Sequence, residues 1–195
     1  MALTIYGDNY VPHTEGVIEI PFWLGLAVFT FIWFAARALI CLRRKNIDKK
    51  HEAKMLLMYI NLALLFRLTL FPLGSFGIRV DPLRIDTQVF FPPSINITPF
   101  SEMFAFIDPV DSIRNFFGNI LMFVPTGILF PVIYKKLRSL AKTVLAGALI
   151  SLCIEVLQLP LSDRISDIDD IILNTAGVAL GYGIYALLRR IKTKA

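Results

Sequence analysis

The sequence predicts an all-α, polytopic membrane helix bundle of about five transmembrane helices, with the N-terminus outside and the C-terminus inside. Three observations carry this prediction. Of 195 residues, 56% are hydrophobic and 16 are phenylalanine, and the mean hydropathy is +0.65. A soluble domain of this size does not hold so much apolar surface. Five apolar stretches, 18–42, 53–73, 113–134, 140–159 and 168–188, each approach the roughly 20 residues that cross a bilayer. Finally, the basic residues gather in three segments that five spans would place on one side, and the positive-inside rule makes that side cytoplasmic.

Those basic segments are Arg43, Arg44, Lys45, Lys49, Lys50 and Lys54 after the first span; Lys135, Lys136, Arg138 and Lys142 after the third; and Arg189, Arg190, Lys192 and Lys194 after the fifth. The net charge of +5 therefore reads as topology with some attraction to anionic lipid, and no nucleic-acid partner is expected. The N-terminus does not read as a cleaved signal, because no basic residue precedes Arg37 and the first apolar stretch is too long. Cys41 and Cys153 sit inside separate spans, so no disulfide is expected. His13 and His51 both lie outside the spans, which excludes a His-rich metal site; no metal and no cofactor is expected.

Taken in order, residues 1–17 form an acidic outer tail, and 18–52 comprise a first transmembrane anchor with its basic cytoplasmic loop. Residues 53–188 form the main membrane domain, and 189–195 a basic cytoplasmic tail. The first span carries Trp23 near the outer interface and Arg37 near the inner one, where the side chain snorkels. The second contains Arg67, a short way from its outer end, which either snorkels outward or faces a carboxylate on another span. The connection 74–112 is extracytoplasmic, and its run of prolines and phenylalanines is too interrupted for a spanning helix. Residues 85–111 of it lie in the outer interface or dip back among the helices.

The third span places Asn115, Asn119, Met122 and Thr126 on one face, with Pro125 expected to bend the helix. The fourth places Gly147, Ser151, Glu155 and Gln158 on one face and stops at Pro160. In the fifth, at about 100° per residue, Asp167, Asp170, Asn174, Gly177 and Gly181 share one stripe, polar at its start and small at its end. Glycines there permit close helix packing. Ser166 reads as the N-cap of this helix, with Asp167 and Asp169 stabilising its first turn through the helix dipole.

Combining topology with depth, Arg67, Asn119, Glu155, Gln158, Asp170 and Asn174 come from four spans and all fall in the outer half of the membrane. Charged side chains at membrane depth are costly, so several together imply mutual pairing or function. A bundle tight at its cytoplasmic end and polar at its outer end would form a cavity open to the outside. The structural alternative is a salt bridge between Glu155 and Arg67, with Asn119 and Gln158 as interhelical hydrogen-bond glue.

On these residues the sequence resembles the VanZ family of bacterial multi-pass membrane proteins. The matching pieces are NITPF at 96–100, NFFGNILMFVPTGILFP at 115–131, SLCIEVLQ at 151–158 and RISDIDDIILNTAGVALG at 164–181, with Arg67 and the following TLFPL fitting the second span. The first span would be an addition to the common core. The resemblance implies a location in the bacterial plasma membrane and site residues Asn96, Asn119, Glu155, Gln158, Arg164, Asp167, Asp170 and Asn174. The family's founding member is associated with resistance to teicoplanin, a lipidated glycopeptide. The leading expectation is thus a non-enzymatic protein in the lipid bilayer that binds a lipidated or lipid-linked envelope ligand and alters glycopeptide sensitivity. Two alternatives stand beside it. One is an enzyme acting on a lipid-linked substrate with Glu155 and Asp170 as acid and base or as oxygen ligands of a divalent cation. The other is a small proton-linked carrier with Glu155 as its titrating group. The oligomeric state is not legible.

Overall fold

A computed structural model describes residues 16–44, 48–71, 80–87, 95–99, 109–162 and 166–194. The expected outer tail up to residue 15, most of the proline- and phenylalanine-rich connection, and Arg164 lie outside the described residues.

The chain opens with a short strand, β1 (Val17–Ile20), followed by helix α1 (Phe22–Arg43). Pro21 separates them: it has no N–H for a ladder, and its carbonyl accepts from Leu24 and Gly25 to start the helix. The first span therefore starts later than residue 18. Residues 17–20 instead pair antiparallel with β2 (Leu83–Asp86), where Arg84 donates to Glu19 at 2.9 Å. Helix α2 (Lys49–Leu70) starts ahead of the apolar stretch because Asp48 caps it, accepting from Lys50 N at 2.9 Å. A two-residue strand β3 (Ile95–Asn96) precedes α3 (Pro109–Ile133). A 3₁₀ turn, Lys135–Leu137, leads into α4 (Leu140–Gln158). Strand β4 (Ser166–Asp167) pairs parallel with β3 and opens α5 (Ile168–Lys194), which runs on through the basic tail.

All five long helices are long and apolar enough to cross a membrane. Their burial is inverted relative to a soluble bundle. On α4, the buried residues are Thr143, Gly147, Ser151, Glu155 and Gln158, whereas Leu145, Leu149, Val156 and Leu157 are exposed. That pattern suits lipid outside and polar side chains satisfying one another inside.

The closest packing joins α3, α4 and α5 through small residues. Gly177 lies against the backbone of Ile120, Gly181 against Val124 and Gly127, and Gly127 against the Val178 carbonyl. Val178 is fully buried and wedges into the space left by Gly147. With Leu65 and Phe123 it forms an apolar plug at the middle of the bundle. A second cluster, Met55, Met58, Phe130 and Ile133, fills one end, and Leu70, Phe71 and Leu161 fill the other.

Helix α1 buries no residue. It rests on α2 through Phe29 stacked on Phe66 at 5.2 Å, Thr30 bonded to Tyr59 at 2.8 Å, and the Arg37–Glu52 ion pair at 2.5 Å. Such a pair is worth at most about 1 kcal/mol. Removing residues 1–44 is therefore expected to leave α2 to α5 folded. The shortened chain should accumulate in membranes and elute as one symmetric peak; aggregation or loss of the chain would mean that α1 is part of the core.

Candidate functional site

The two ends of the bundle differ chemically. Arg43, Lys49, Lys50, Lys135, Lys136, Arg138, Arg189 and Arg190 mark one end, at the close of α1, α3 and α5 and the start of α2 and α4. At the opposite end the acids and amides singled out above come together.

Glu155 is the centre of that second group. Its residue is 3% exposed, and its Oε2 accepts from Ser166 Oγ at 3.1 Å and Asp167 N at 3.0 Å. The last turn of α4 thus holds the strand that precedes α5. Asp167 Oδ1 in turn accepts from Asp169 N at 2.9 Å and Asn96 Nδ2 at 3.2 Å, tying β3 to the start of α5. The N-cap role expected of Ser166 falls instead to Asp167, because Ser166 points back to Glu155. Asn96 also accepts from Thr98 N at 3.1 Å, a local turn.

Asn119 on α3 donates Nδ2 to Asp170 Oδ1 on α5. One turn deeper, Asn174 donates to Ser151 Oγ at 2.9 Å, joining α5 to α4. Gln158 donates Nε2 to the Thr69 carbonyl of α2 at 2.8 Å, a carbonyl freed at that helix's C-terminus. The amide oxygens of Gln158 and Asn174 are buried with no hydrogen-bond partner among the described residues. Sequence reasoning missed Asn61, which donates to Thr126 Oγ1 at 2.8 Å below the plug; a lone Asn in an apolar span is its only signal.

Arg67 stands apart. It donates to the Phe71 carbonyl at 2.8 Å, and its guanidinium lies 5.4 Å from the centre of the Phe22 ring. Arg67 and Glu155 do not form an ion pair among the described residues, so the bridge weighed above as the structural alternative is absent. The reason is local: Arg67 sits one turn from the end of α2, within reach of that helix's free carbonyls. Beside it, Glu19, Pro21, Phe22, Trp23, Val80 and Pro82 line a hollow of about 520 Å³. Cys41 and Cys153 are free thiols.

Burial pushes the Asp167 carboxyl above its ordinary value, more than the hydrogen bonds from Asp169 and Asn96 pull it down. The stability it contributes is therefore fully present below the ordinary value of 3.8 and is lost as pH rises through the raised folded value. Asp167→Asn, which keeps an acceptor oxygen, is expected to flatten that acid-side slope. A thermal-midpoint series against pH checks it, and an unchanged slope would remove Asp167 as its source.

Comparison with known proteins supplies the remaining observations. A family model described as VanZ/LLP1 matches residues 57–189, from within α2 through most of α5, leaving α1 outside. Among curated proteins, Protein VanZ of Enterococcus faecium is 34% identical over 94 residues, which is 48% of this chain and 53% of that protein. The alignment thus spans about half the length of this relative. No solved structure matches.

Proposed function

The chain belongs to the VanZ/LLP1 family, and from that membership we propose that it is a bacterial plasma-membrane protein that binds an amphipathic envelope ligand at its polar, outward-facing end. The observation that carries this reading is the gathering of Asn96, Asn119, Glu155, Gln158, Asp167, Asp170 and Asn174 at one end of the bundle, opposite the basic end. The basic end is the cytoplasmic one under the positive-inside rule, which turns the acid- and amide-rich end outward.

In this reading Arg67 meets a carboxylate or phosphate of the ligand; the other arginine expected in that role, Arg164, lies outside the described residues. The neighbouring hollow beside Phe22 and Trp23 takes apolar parts of the ligand. The plug of Leu65, Phe123 and Val178 closes the bundle beneath the cluster, which favours one-sided binding over a carrier. An acid–base role for Glu155 and Asp170 is less favoured, since Glu155 already serves Ser166 and Asp167.

Teicoplanin-type sensitivity is the proposed consequence. A Gram-positive host expressing the wild type is expected to tolerate teicoplanin better than the empty host, with little change toward vancomycin. Glu155→Gln, at equal membrane abundance, should remove the protection. No protection by the wild type would move the search to other envelope lipids.

A further inference from the structure

We propose that the lipid-facing flank of α1 is a binding track for one polyprenyl phosphate, a lipid with a phosphate head and a single long, methyl-branched chain. The inference rests on the reading above for two points: that this end of the bundle faces outward, and that Arg67 meets an anionic group. It adds the chemical class of that ligand and the element that reads its tail.

The head group is argued from the arginine. Arg67 is partly buried in the last turn of α2, and its partners are the Phe71 carbonyl and the face of the Phe22 ring. Neither carries a charge. A guanidinium presents several N–H donors in a planar fork that matches a phosphate, and the bond to Phe71 leaves most of them for a ligand. Glu19 lines the adjoining hollow of about 520 Å³, but it is paired with Arg84 at 2.9 Å. A lipid phosphate at the mouth of that hollow supplies the counter-charge that Arg67 lacks among the described residues.

The tail is argued from α1. A groove of about 750 Å³ runs along this helix from Phe22 to Ala38. Phe22 and Trp23 line both the groove and the hollow beside Arg67, so the spaces for head and tail join. Within the groove the small side chains of Ala27, Ala35 and Ala38 alternate with Trp23, Phe31 and Phe34, which are 69%, 75% and 50% exposed and so free to meet a ligand. Helix α1 is held on α2 mainly by other residues, Phe29 on Phe66 and Trp33 on Tyr59, so a chain lying in the groove leaves the bundle undisturbed.

Length selects the lipid. Phe22 and Ala38 stand about 24 Å apart along the axis at the helical rise, whereas one leaflet is about 15 Å deep, half of the hydrocarbon core. An ordinary acyl chain whose head sits beside Phe22 ends near the midplane, short of Phe34, Ala35 and Ala38. A polyprenyl chain is longer than a leaflet and reaches them. Its methyl branches also fit a groove notched by alternating small and large side chains, where a smooth methylene chain leaves contacts unmade. The track lies outside residues 57–189, which the family model matches, so tail recognition is what α1 adds to the common bundle.

The test uses the full chain in detergent micelles with no drug present. It is mixed with equal amounts of undecaprenyl phosphate, farnesyl phosphate and dioleoyl phosphatidic acid, and the bound lipid is read by native mass spectrometry. One undecaprenyl phosphate per chain is expected, favoured at least about tenfold over farnesyl phosphate, whose tail is short, and over dioleoyl phosphatidic acid, whose chains match one leaflet. Ala27→Phe and Ala35→Phe fill the groove on a helix that buries no residue, and each should weaken retention about tenfold or more, as should Arg67→Gln. Ile32→Phe, exposed on α1 outside the groove, should retain the lipid as the wild type does. No bound undecaprenyl phosphate overturns the proposal. So does equal retention of dioleoyl phosphatidic acid, the mark of a general anionic-lipid contact, or retention unchanged in both alanine variants. A chain that binds teicoplanin but fails here loses the polyprenyl track and keeps the ligand-binding reading; the opposite pair of results keeps the track and removes the glycopeptide.

Discussion

Gly177→Val is expected to abolish accumulation of the folded chain. A Cβ at residue 177 would run into the backbone of Ile120, and backbone cannot step aside as a side-chain tip can. Helices α3 and α5 would have to separate along the line where Gly177, Gly181 and Gly127 bring them together. That separation would also unseat Val178 from Gly147 and draw Asn119 away from Asp170. Overpacking of this kind costs about 3 kcal/mol or more, a large part of the roughly 5–15 kcal/mol that holds a typical domain folded. The control is Gly118, on the outside of α3, where an added Cβ meets nothing within 4 Å. Gly118→Ala should accumulate as the wild type does. Membrane abundance and the thermal midpoint check both, and a stable Gly177→Val would show that the three helices are not locked by close backbone contact.

Glu155→Leu and Glu155→Gln are expected to part company. Leucine fills similar volume but leaves the Asp167 N–H without its acceptor and the Ser166 hydroxyl with only the Glu155 backbone carbonyl at 3.4 Å. The stranded Asp167 N–H costs about 1–3 kcal/mol, and the last turn of α4 loses most of its hold on the start of α5. Glutamine retains an acceptor oxygen in the same place and should keep the latch, and with it most of the stability. What glutamine removes is charge. If Glu155→Gln folds normally yet loses protection against teicoplanin, the carboxylate acts on something beyond Ser166 and Asp167. Equal loss of abundance in both variants would instead make Glu155 a purely structural residue.

Much of this was legible because it belongs to single helices. The stripe of Ser151, Glu155 and Gln158 on α4, and of Asp170, Asn174, Gly177 and Gly181 on α5, follows from helical periodicity alone, and those faces are the ones that meet. Partner choice was not legible, because it depends on how helices cross. Glu155 and Arg67 are opposite charges at similar depth, yet Glu155 takes the Ser166 hydroxyl and the Asp167 amide, while Arg67 takes the Phe71 carbonyl of its own helix end. Gln158 similarly finds a carbonyl at Thr69, a group every sequence carries at every residue. The short strands escaped notice for the opposite reason: Val17–Ile20 is apolar enough to read as the beginning of a span, and only Pro21 and the pairing of Glu19 with Arg84 set it apart.

The central claim is that the polar end receives an amphipathic envelope ligand, and direct binding tests it. Fluorescently labelled teicoplanin and vancomycin would be titrated onto the chain in lipid nanodiscs, with empty nanodiscs as the baseline. The account predicts saturable binding of teicoplanin above that baseline, weaker binding of vancomycin, and loss of the teicoplanin signal in Arg67→Gln and in Glu155→Gln. Teicoplanin binding that matches empty nanodiscs, or that survives both substitutions unchanged, would contradict it.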